Sequence, residues 1–340
     1  MFLRPRPVET GDLDLCSQIA RNRFAFPGEE DRAGLVQMWR DHLGDGRMVG
    51  AILEDSTAPP KNRIAWLCFK VFVTDAWTQQ LKDSQAVPLP AWQLFDRYQR
   101  REKLPILSLD EIRRENSQAD GGLNMLVTHY GSPYPLQADN PQWNEVAGSL
   151  LDFTDYFSSG YRTKEILEEF YDDYTTSLAL GAGFCPRNDF EVYFGRYAAP
   201  PINQRARLLG ATADEARKQP GTIASVVFNY QHPCFHFKPA EQELLVCALL
   251  GDTDKEIASR LCLAEVTLRK RWSAIYERIA NIAPRFFLAS GSSDKEPLQN
   301  AETGRGLEKR RYLLLYLRRH LSELRPLESP DTKNVLCRDS

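Results

Sequence analysis

The stretch GDTDKEIASRLCLAEVTLRKRWSAIYERI, residues 251–279, decides how the C-terminal part of the chain folds. Gly251 can take the positive φ that commonly ends a helix, and Thr253 with Glu256 forms the T-x-x-E capping box that begins the next one. The segment CLAE then predicts a turn, after which another helix begins near Glu265. The stretch therefore predicts two helices joined by a short turn.

The second of these helices has one apolar face and one basic face. At about 100° per residue, four side chains lie within about 60° of one another: Leu268, Trp272, Ile275 and Ile279. The other side carries Lys270 and Ser273, flanked by Arg269 and Arg271. A recognition helix needs this arrangement, because its first turns enter the major groove and reach base edges. An ordinary three-helix core with a solvated charged face explains it equally well.

Three segments carry a resemblance to a known family: FKPAEQELL (237–245), KEIASRL (255–261) and TLRKRWSAIYERI (267–279). They match, in order, Leu-Thr-x-Arg-Glu-x-Glu-x-Leu, Lys-Glu-Ile-Ala-x-x-Leu and Thr-Val-Lys-x-His-x-x-x-Ile-x-x-Lys-Leu. The region 237–280 thus resembles the LuxR-type (GerE/NarL-like) helix-turn-helix. The resemblance implies that double-stranded DNA is the partner. The residues it assigns to DNA binding are Lys255, Thr267, Arg269, Lys270, Arg271 and Ser273, with Lys255 and Thr267 on the backbone.

Four positions depart from the family pattern. Ala264 replaces the usual capping serine, which costs about 0.5–2 kcal/mol of helix stability. Arg271 stands where histidine is usual, and Trp272 is bulkier than the residue it replaces. Pro284 interrupts the region of the family's last helix, which often joins two subunits. The dimer helix is therefore not predicted from this segment.

The chain ends with a polar linker (289–306) and an amphipathic helix (307–325). The apolar face of that helix carries Leu313, Leu314, Leu317, Leu321 and Leu324. Seven basic residues against two acidic ones lie between positions 304 and 326. Three interpretations stay open: the helix docks on its own chain, its leucines join a homodimer, or its basic side chains contact phosphates.

Residues 1–230 predict one α/β or α+β domain, because apolar β-rich runs alternate with helical patterns. The predicted strands are 48–54, 63–74, 123–130, 190–194 and 222–230. The predicted helices are 12–25, 29–43, 91–102, 141–158, 162–181 and 203–218. A proline-containing hinge (231–238) then leads to an all-α helix-turn-helix domain (239–288).

The opening LRPRPVETGDLDLCSQIARN (3–22) resembles the first strand and helix of the GNAT acyltransferases. Residues 46–55 and 63–75 could be the next two strands. The resemblance implies acyl-CoA held at a helix start by a Gln/Arg-x-x-Gly-x-Gly/Ala loop. The nearest candidate is LALGAGF (178–184), but Leu178 stands where Gln or Arg is needed. A helix C-cap explains its glycines equally well.

Composition narrows the function classes. A net charge of −3 gives no global attraction to polyanions, so any nucleic-acid site must be a local patch. Seven dispersed cysteines suit reduced thiols, and no membrane span or signal peptide is predicted, so we expect a cytoplasmic protein. His232, Cys234 and His236 alternate but lack a fourth ligand, so no metal site is expected. His129 either has a structural role or lies at the edge of a ligand pocket.

The sequence favours a DNA-binding transcriptional regulator whose N-terminal domain senses a small ligand or a partner. It is expected to be a homodimer, and no catalytic residue or cofactor is predicted, so the chain is not expected to be an enzyme. Two alternatives remain. One is an acyl-CoA-dependent acyltransferase with a C-terminal docking module. The other is a sigma-factor-like promoter-recognition protein.

Overall fold

The chain folds as two compact units, residues 1–230 and 231–340. The computed structural model describes residues 1–20, 29–84, 89–118, 121–188, 206–287 and 302–326. Each unit has its own apolar core.

The first unit is built on one sheet of seven strands. The strands are β1 (Leu3–Pro7), β2 (Met48–Asp55), β3 (Ile64–Val73), β4 (Leu123–Gly131), β5 (Thr163–Phe170), β6 (Cys185–Asn188) and β7 (Arg207–Thr212). They are ordered β1-β2-β3-β4-β5-β7-β6. Neighbours are antiparallel throughout these described strands, except that β4 and β5 are parallel.

Nine α-helices are described in this unit. They are α1 (Leu13–Ile19), α2 (Glu29–Gly44), α3 (Asp75–Asp83), α4 (Pro90–Gln99), α5 (Leu109–Ser117), α6 (Pro141–Ser158), α7 (Asp173–Gly181), α8 (Ala213–Arg217) and α9 (Ile223–Val227). The helix α6 connects β4 to β5, as a parallel pair requires a long crossover. Every residue of β4 is buried, which explains why its sequence is a nearly continuous apolar run.

The α/β class predicted for this unit is confirmed, and so are the strands β2, β3 and β4 and the helices α2, α4 and α6, whose ends differ from the prediction by at most three residues. The structure also places β1 and α1 where the GNAT resemblance put the first strand and helix. The predicted helix 12–25 ends at Ile19, and its part beyond residue 20 lies outside the described residues. The predicted strand 190–194 also lies outside them.

Three predictions in the second half of this unit are wrong. The stretch 162–181 is not one helix but β5 followed by α7, which begins where the Asp172 side chain accepts a hydrogen bond from Thr175 N. The stretch 203–218 contains β7 and α8. The predicted strand 222–230 contains α9, which Thr222 caps. These segments are short, so sheet pairing and side-chain caps determine their structure more strongly than local periodicity does.

The described elements of the second unit are helical. They are α10 (Pro239–Leu250), α11 (Asp254–Arg260), α12 (Glu265–Ile282), α13 (Glu302–Leu317) and a 3-10 turn (Leu321–Leu324). Gly251 ends α10 with a φ of 98°, and the Thr253–Glu256 capping box begins α11, as predicted. Ala264 precedes α12 without a side-chain cap.

The leucine face of α13 packs inside its own unit. Leu313 and Leu317 of α13 and Leu324 of the 3-10 turn are buried in one cluster with Leu268 and Trp272 of α12. Of the three interpretations of the C-terminal helix, docking on its own chain accounts for these leucines. The predicted helix 307–325 is displaced, because α13 begins at Glu302, inside the predicted linker 289–306, and ends at Leu317.

We expect Leu317→Ala to destabilise the protein by about 2–5 kcal/mol, because it empties a fully buried position. Leu315→Ala is the matched control, since Leu315 is 49% exposed and its truncation should change stability by less than about 0.5 kcal/mol. Denaturant unfolding of both variants measures the difference. Equal effects would mean that α13 does not pack as described.

Candidate functional site

The parallel strands β4 and β5 separate toward their carboxyl ends. Their paired register runs from Leu123 opposite Thr163 to Val127 opposite Glu168, although β4 continues to Gly131. Over those last residues β4 stays paired with β3, and β5 stays paired with β7 through Phe170. In sheets of this kind, the carboxyl ends of parallel strands are where ligands commonly bind.

A cavity of about 150 Å³ lies at this place. Helices α6, α7 and α9 border it on one side and the sheet on the other. The lining side chains from β4 and β5 are Val127, Tyr130, Ile166, Glu168 and Phe170. All but Glu168 are apolar or aromatic. Such a lining disfavours both charged groups and water.

Two tryptophans line the cavity and two belong to the core. Trp66 of β3 lies against Tyr130 and against Trp143 of α6, with ring centroids 5.8 Å apart in both pairs. Trp39 and Trp77 are buried in the core cluster and do not line the cavity. The tryptophans of this unit therefore serve both the cavity and the core.

A β-bulge determines which side chains of β4 reach the cavity. Phe69 of β3 pairs with His129 and Lys70 pairs with Val127, so Thr128 is the extra residue between them. As a result, Tyr130 lines the cavity, while His129 contacts Trp39 edge to face at 5.0 Å. His129 is buried, and burial lowers its pKa to about 3. It is a core residue and not an edge of this cavity.

Glu168 brings a carboxyl group to the apolar cavity. It is half-buried and lines the cavity, and its carboxyl makes no hydrogen bond with another described residue. Removal from water raises its pKa to about 8. The carboxyl is therefore mostly protonated at neutral pH.

Glu169, the next residue, has a second perturbed carboxyl. Only 3% of its surface is exposed, and burial raises its pKa to about 8. The Tyr171 hydroxyl donates to one of its oxygens at 3.3 Å, and the other oxygen has no hydrogen-bond partner in the part of the chain that is described. The Tyr130 hydroxyl donates to the Glu169 carbonyl at 3.2 Å and so links the separated strands.

The predicted phosphate loop is not a helix start. Gly181 is the last residue of α7, and Gly183, with a φ of 93°, follows the C-cap Ala182. The helix that does follow β4 begins at Pro141, and the Asn140 side chain already accepts a hydrogen bond from Trp143 N at 3.0 Å. The loop 132–140 contains no glycine. A Gln/Arg-x-x-Gly-x-Gly/Ala loop is therefore not present at either place.

The predicted DNA-binding residues lie on α11 and α12 of the second unit. Five of them are exposed and Arg271 is half-buried: Lys255, Thr267, Arg269, Lys270, Arg271 and Ser273. Arg269 forms an ion pair with Glu265 across one helical turn at 3.4 Å, and both side chains stay mostly exposed. The four apolar side chains predicted to face inward are buried.

Trp272 is held by side chains from two other helices. Its indole N–H donates to Asp254 at 3.3 Å, and the guanidinium of Arg310 lies 4.6 Å from its ring centroid. Arg310 also donates to Asp254 at 2.5 Å and to the carbonyl of Asp252 at 3.3 Å. These contacts connect α13 to the start of α11 and to α12.

Within the described ranges, no group of three or more His, Cys, Asp or Glu side chains lies together as metal ligands would. Cys234 N and Phe235 N donate instead to the carboxylate of Glu323, at 2.9–3.0 Å. In the same ranges, no helix combines the length and the apolar character needed to cross a membrane.

No protein-family model matches the chain, and no curated protein matches it. The LuxR-type resemblance therefore has no support from these comparisons. Solved structures do match. Spermidine/spermine N-acetyltransferase SpeG from Vibrio cholerae, in complex with manganese ions, matches with a TM-score of 0.35 and 11% identity, over 64% of this chain and 96% of that chain.

The C-terminal condensation domain of Ebony, in complex with beta-alanyl-dopamine, matches with a TM-score of 0.36 and 11% identity, over 62% of this chain and 98% of that one. The N-terminal part thus has a weak structural resemblance to GNAT N-acetyltransferases. These matches are to enzymes, which contradicts the sequence-based prediction that the chain is not one.

The two raised carboxyl pKa values predict an unusual pH dependence of stability. Between about pH 4.5 and pH 8 the unfolded chain ionises both groups while the folded chain keeps them protonated, so the free energy of unfolding falls as pH rises. We expect the double variant Glu168→Gln, Glu169→Gln to lose much of this fall in urea unfolding. Glu102→Gln, at an exposed position, is the control. If the double variant keeps the wild-type dependence of the unfolding free energy on pH, the raised pKa values of Glu168 and Glu169 are wrong.

Proposed function

We propose that residues 1–230 bind an activated acyl compound at the separated ends of β4 and β5 and transfer its acyl group to a nucleophile. The observation that carries the proposal is the apolar cavity in which Glu168 has a pKa of about 8. A carboxyl group with a pKa near the working pH is suited to both accept and donate a proton.

The reaction follows from that protonation equilibrium. Ionised Glu168 takes the proton of the attacking nucleophile, whose lone pair forms the new bond to the acyl carbonyl carbon. The tetrahedral intermediate collapses, the bond to the leaving group breaks with its electron pair, and protonated Glu168 returns the proton to the leaving group. Glu168 is therefore ionised again at the end of the reaction. The apolar lining strengthens these interactions because it excludes water.

The described residues do not fit the coenzyme A portion of the donor that the GNAT resemblance implies. The glycine-free loop 132–140 and the proline at the start of α6 offer few backbone N–H donors for a pyrophosphate. The proposal is therefore for an ester or thioester donor, and no step depends on coenzyme A.

The test uses para-nitrophenyl hexanoate as donor and hydroxylamine as nucleophile, with the full chain as catalyst. We expect kcat/KM to rise with pH and level off above about 8, and Glu168→Gln to lower it by about a hundredfold to ten-thousandfold and remove the inflection. Glu102→Gln should behave like the wild type. No transfer above the buffer rate, or full activity of Glu168→Gln, would refute the proposal.

A second observation favours a second function, and we infer that the C-terminal unit binds double-stranded DNA. On α12 the side chains of Arg269, Lys270 and Ser273 are exposed on the face opposite the buried apolar residues. Guanidinium and ammonium groups at the start of such a helix can donate to guanine O6 and N7 or neutralise phosphates. Together with a first unit that binds an acyl compound, the chain would act as a transcriptional regulator, and a homodimer would match a palindromic site.

We expect Arg269→Ala with Lys270→Ala to weaken specific DNA binding by about 1–3 kcal/mol for each base that the two side chains bind. If the two residues bind phosphates instead, the slope of log affinity against log salt should fall by about 0.9 for each phosphate. Arg285→Ala, at an exposed position beyond α12, is the control. The DNA duplex for this assay is selected from a random library. Equal binding of the double variant and of the Arg285→Ala control at matched salt would rule out this surface.

A further inference from the structure

We infer that the cavity at the ends of β4 and β5 takes an uncharged, apolar acyl group of about six carbon atoms, with its carbonyl oxygen bound by Ser158. The inference deepens the proposed acyl transfer, on which it rests, by naming the acyl group. The binding step can be measured without the transfer step.

The size of the cavity sets the size of the group. An apolar cavity of about 150 Å³ can hold a molecule the size of benzene. The cavity here has the same volume, about 150 Å³. An acetyl group would leave most of it empty, and the lining atoms would then face a gap instead of packing against the ligand. A chain or ring of about six carbons fills it.

The helix α6 supplies the apolar wall. Four of its lining residues recur at spacings of seven, three and four, which places them on one face of the helix: Trp143, Leu150, Phe153 and Phe157. The neighbouring Leu151 points elsewhere and is 42% exposed. An acyl chain against this wall should gain about fourfold in affinity for each methylene it buries.

Ser158 gives the cavity a polar group without a partner. It is the last residue of α6, lines the cavity and is 3% exposed. Its hydroxyl oxygen is buried and has no hydrogen-bond partner among the described residues. Such a group is costly to leave unpaired, so a ligand with a hydrogen-bonding atom at this point satisfies it.

The end of α6 is fixed by a buried lysine. The ammonium group of Lys70 donates to the carbonyl of Phe157 and lies 4.1 Å from the Phe157 ring centroid and 4.5 Å from that of Tyr161. Lys70 itself is fully buried. These contacts hold Phe157, and with it Ser158, at a constant position beside the cavity.

The carbonyl of an acyl group matches what the cavity offers. The Ser158 hydroxyl can donate to it, and so can the protonated carboxyl of Glu168. A charged ligand is disfavoured, because an ammonium or carboxylate would lose its water to a lining that is almost wholly apolar. The ligand class is therefore a neutral acyl derivative.

The test is a calorimetric titration of the full chain with acetamide, butanamide, hexanamide and decanamide, which carry the acyl group but do not transfer it. We expect affinity to rise about fourfold per methylene up to hexanamide and to fall for decanamide. Ser158→Ala should weaken hexanamide binding by about three- to tenfold. An affinity that does not depend on chain length would overturn the inference.

A pair of adjacent substitutions locates the ligand. Leu150→Trp fills the cavity and should abolish hexanamide binding, whereas Leu151→Trp places the same side chain on the exposed side of α6 and should not. Circular dichroism tests whether both variants are folded. If Leu150→Trp does not fold, Leu150→Ala is used instead. It enlarges the cavity and should shift the preference toward decanamide. Unchanged preference in a folded variant overturns the inference.

The outcomes also separate this inference from the proposed function. Hexanamide binding without any transfer from para-nitrophenyl esters supports the acyl pocket and refutes the transfer reaction. Transfer from para-nitrophenyl hexanoate without length-dependent binding of the amides supports the reaction and refutes the six-carbon pocket.

Discussion

The divergence of β4 and β5 beyond Val127 and Glu168 is the constraint on which the rest of the first unit depends. Each of these strands remains paired with its other neighbour, so the sheet cannot close the gap with backbone hydrogen bonds. Side chains and the crossover helix must fill the space, and they do so incompletely. The remaining cavity follows from the sheet topology, and the β-bulge at Thr128 turns Tyr130 toward it.

Glu168 is the unfavourable element of this arrangement. A carboxyl group without a hydrogen-bond partner in apolar surroundings lowers stability, and glutamine or leucine would serve the sheet at least as well. Strongly shifted ionisable groups collect at functional sites because catalysis or binding requires the shift. Glu169 has an equally shifted carboxyl but does not line the cavity and receives a hydrogen bond from Tyr171, so a structural role accounts for it.

The sequence predicted the parts of the fold that local patterns specify. Long apolar runs indicated β2, β3 and β4, and the Thr253–Glu256 box indicated the start of α11. It did not predict β5 and β7, because the charged TKEILEEF is typical of a helix until partner strands pair with it. The cavity was also missed, since it combines residues from strands and helices more than 100 positions apart, from Trp66 to Ile223. Glu168 was missed for the same reason.

In the second unit, periodicity predicted which face of α12 is buried, and Ala264 leaves the start of that helix without a side-chain cap, as its sequence indicated. What periodicity could not predict is the contact of Arg310 with Trp272 and Asp254, which ties α13 to α12. The bulky tryptophan that departs from the family pattern thus has a partner on a helix more than 30 positions later in the chain.

The most direct test of the account is an NMR titration of the side-chain carboxyl carbon of Glu168 in the full chain, assigned with the Glu168→Gln variant. We expect a midpoint near pH 8, because the carboxyl lies in a water-poor cavity between the diverging strands. A midpoint near the ordinary value of 4.5 would show that the group is solvated, and the cavity would then not be the apolar site described.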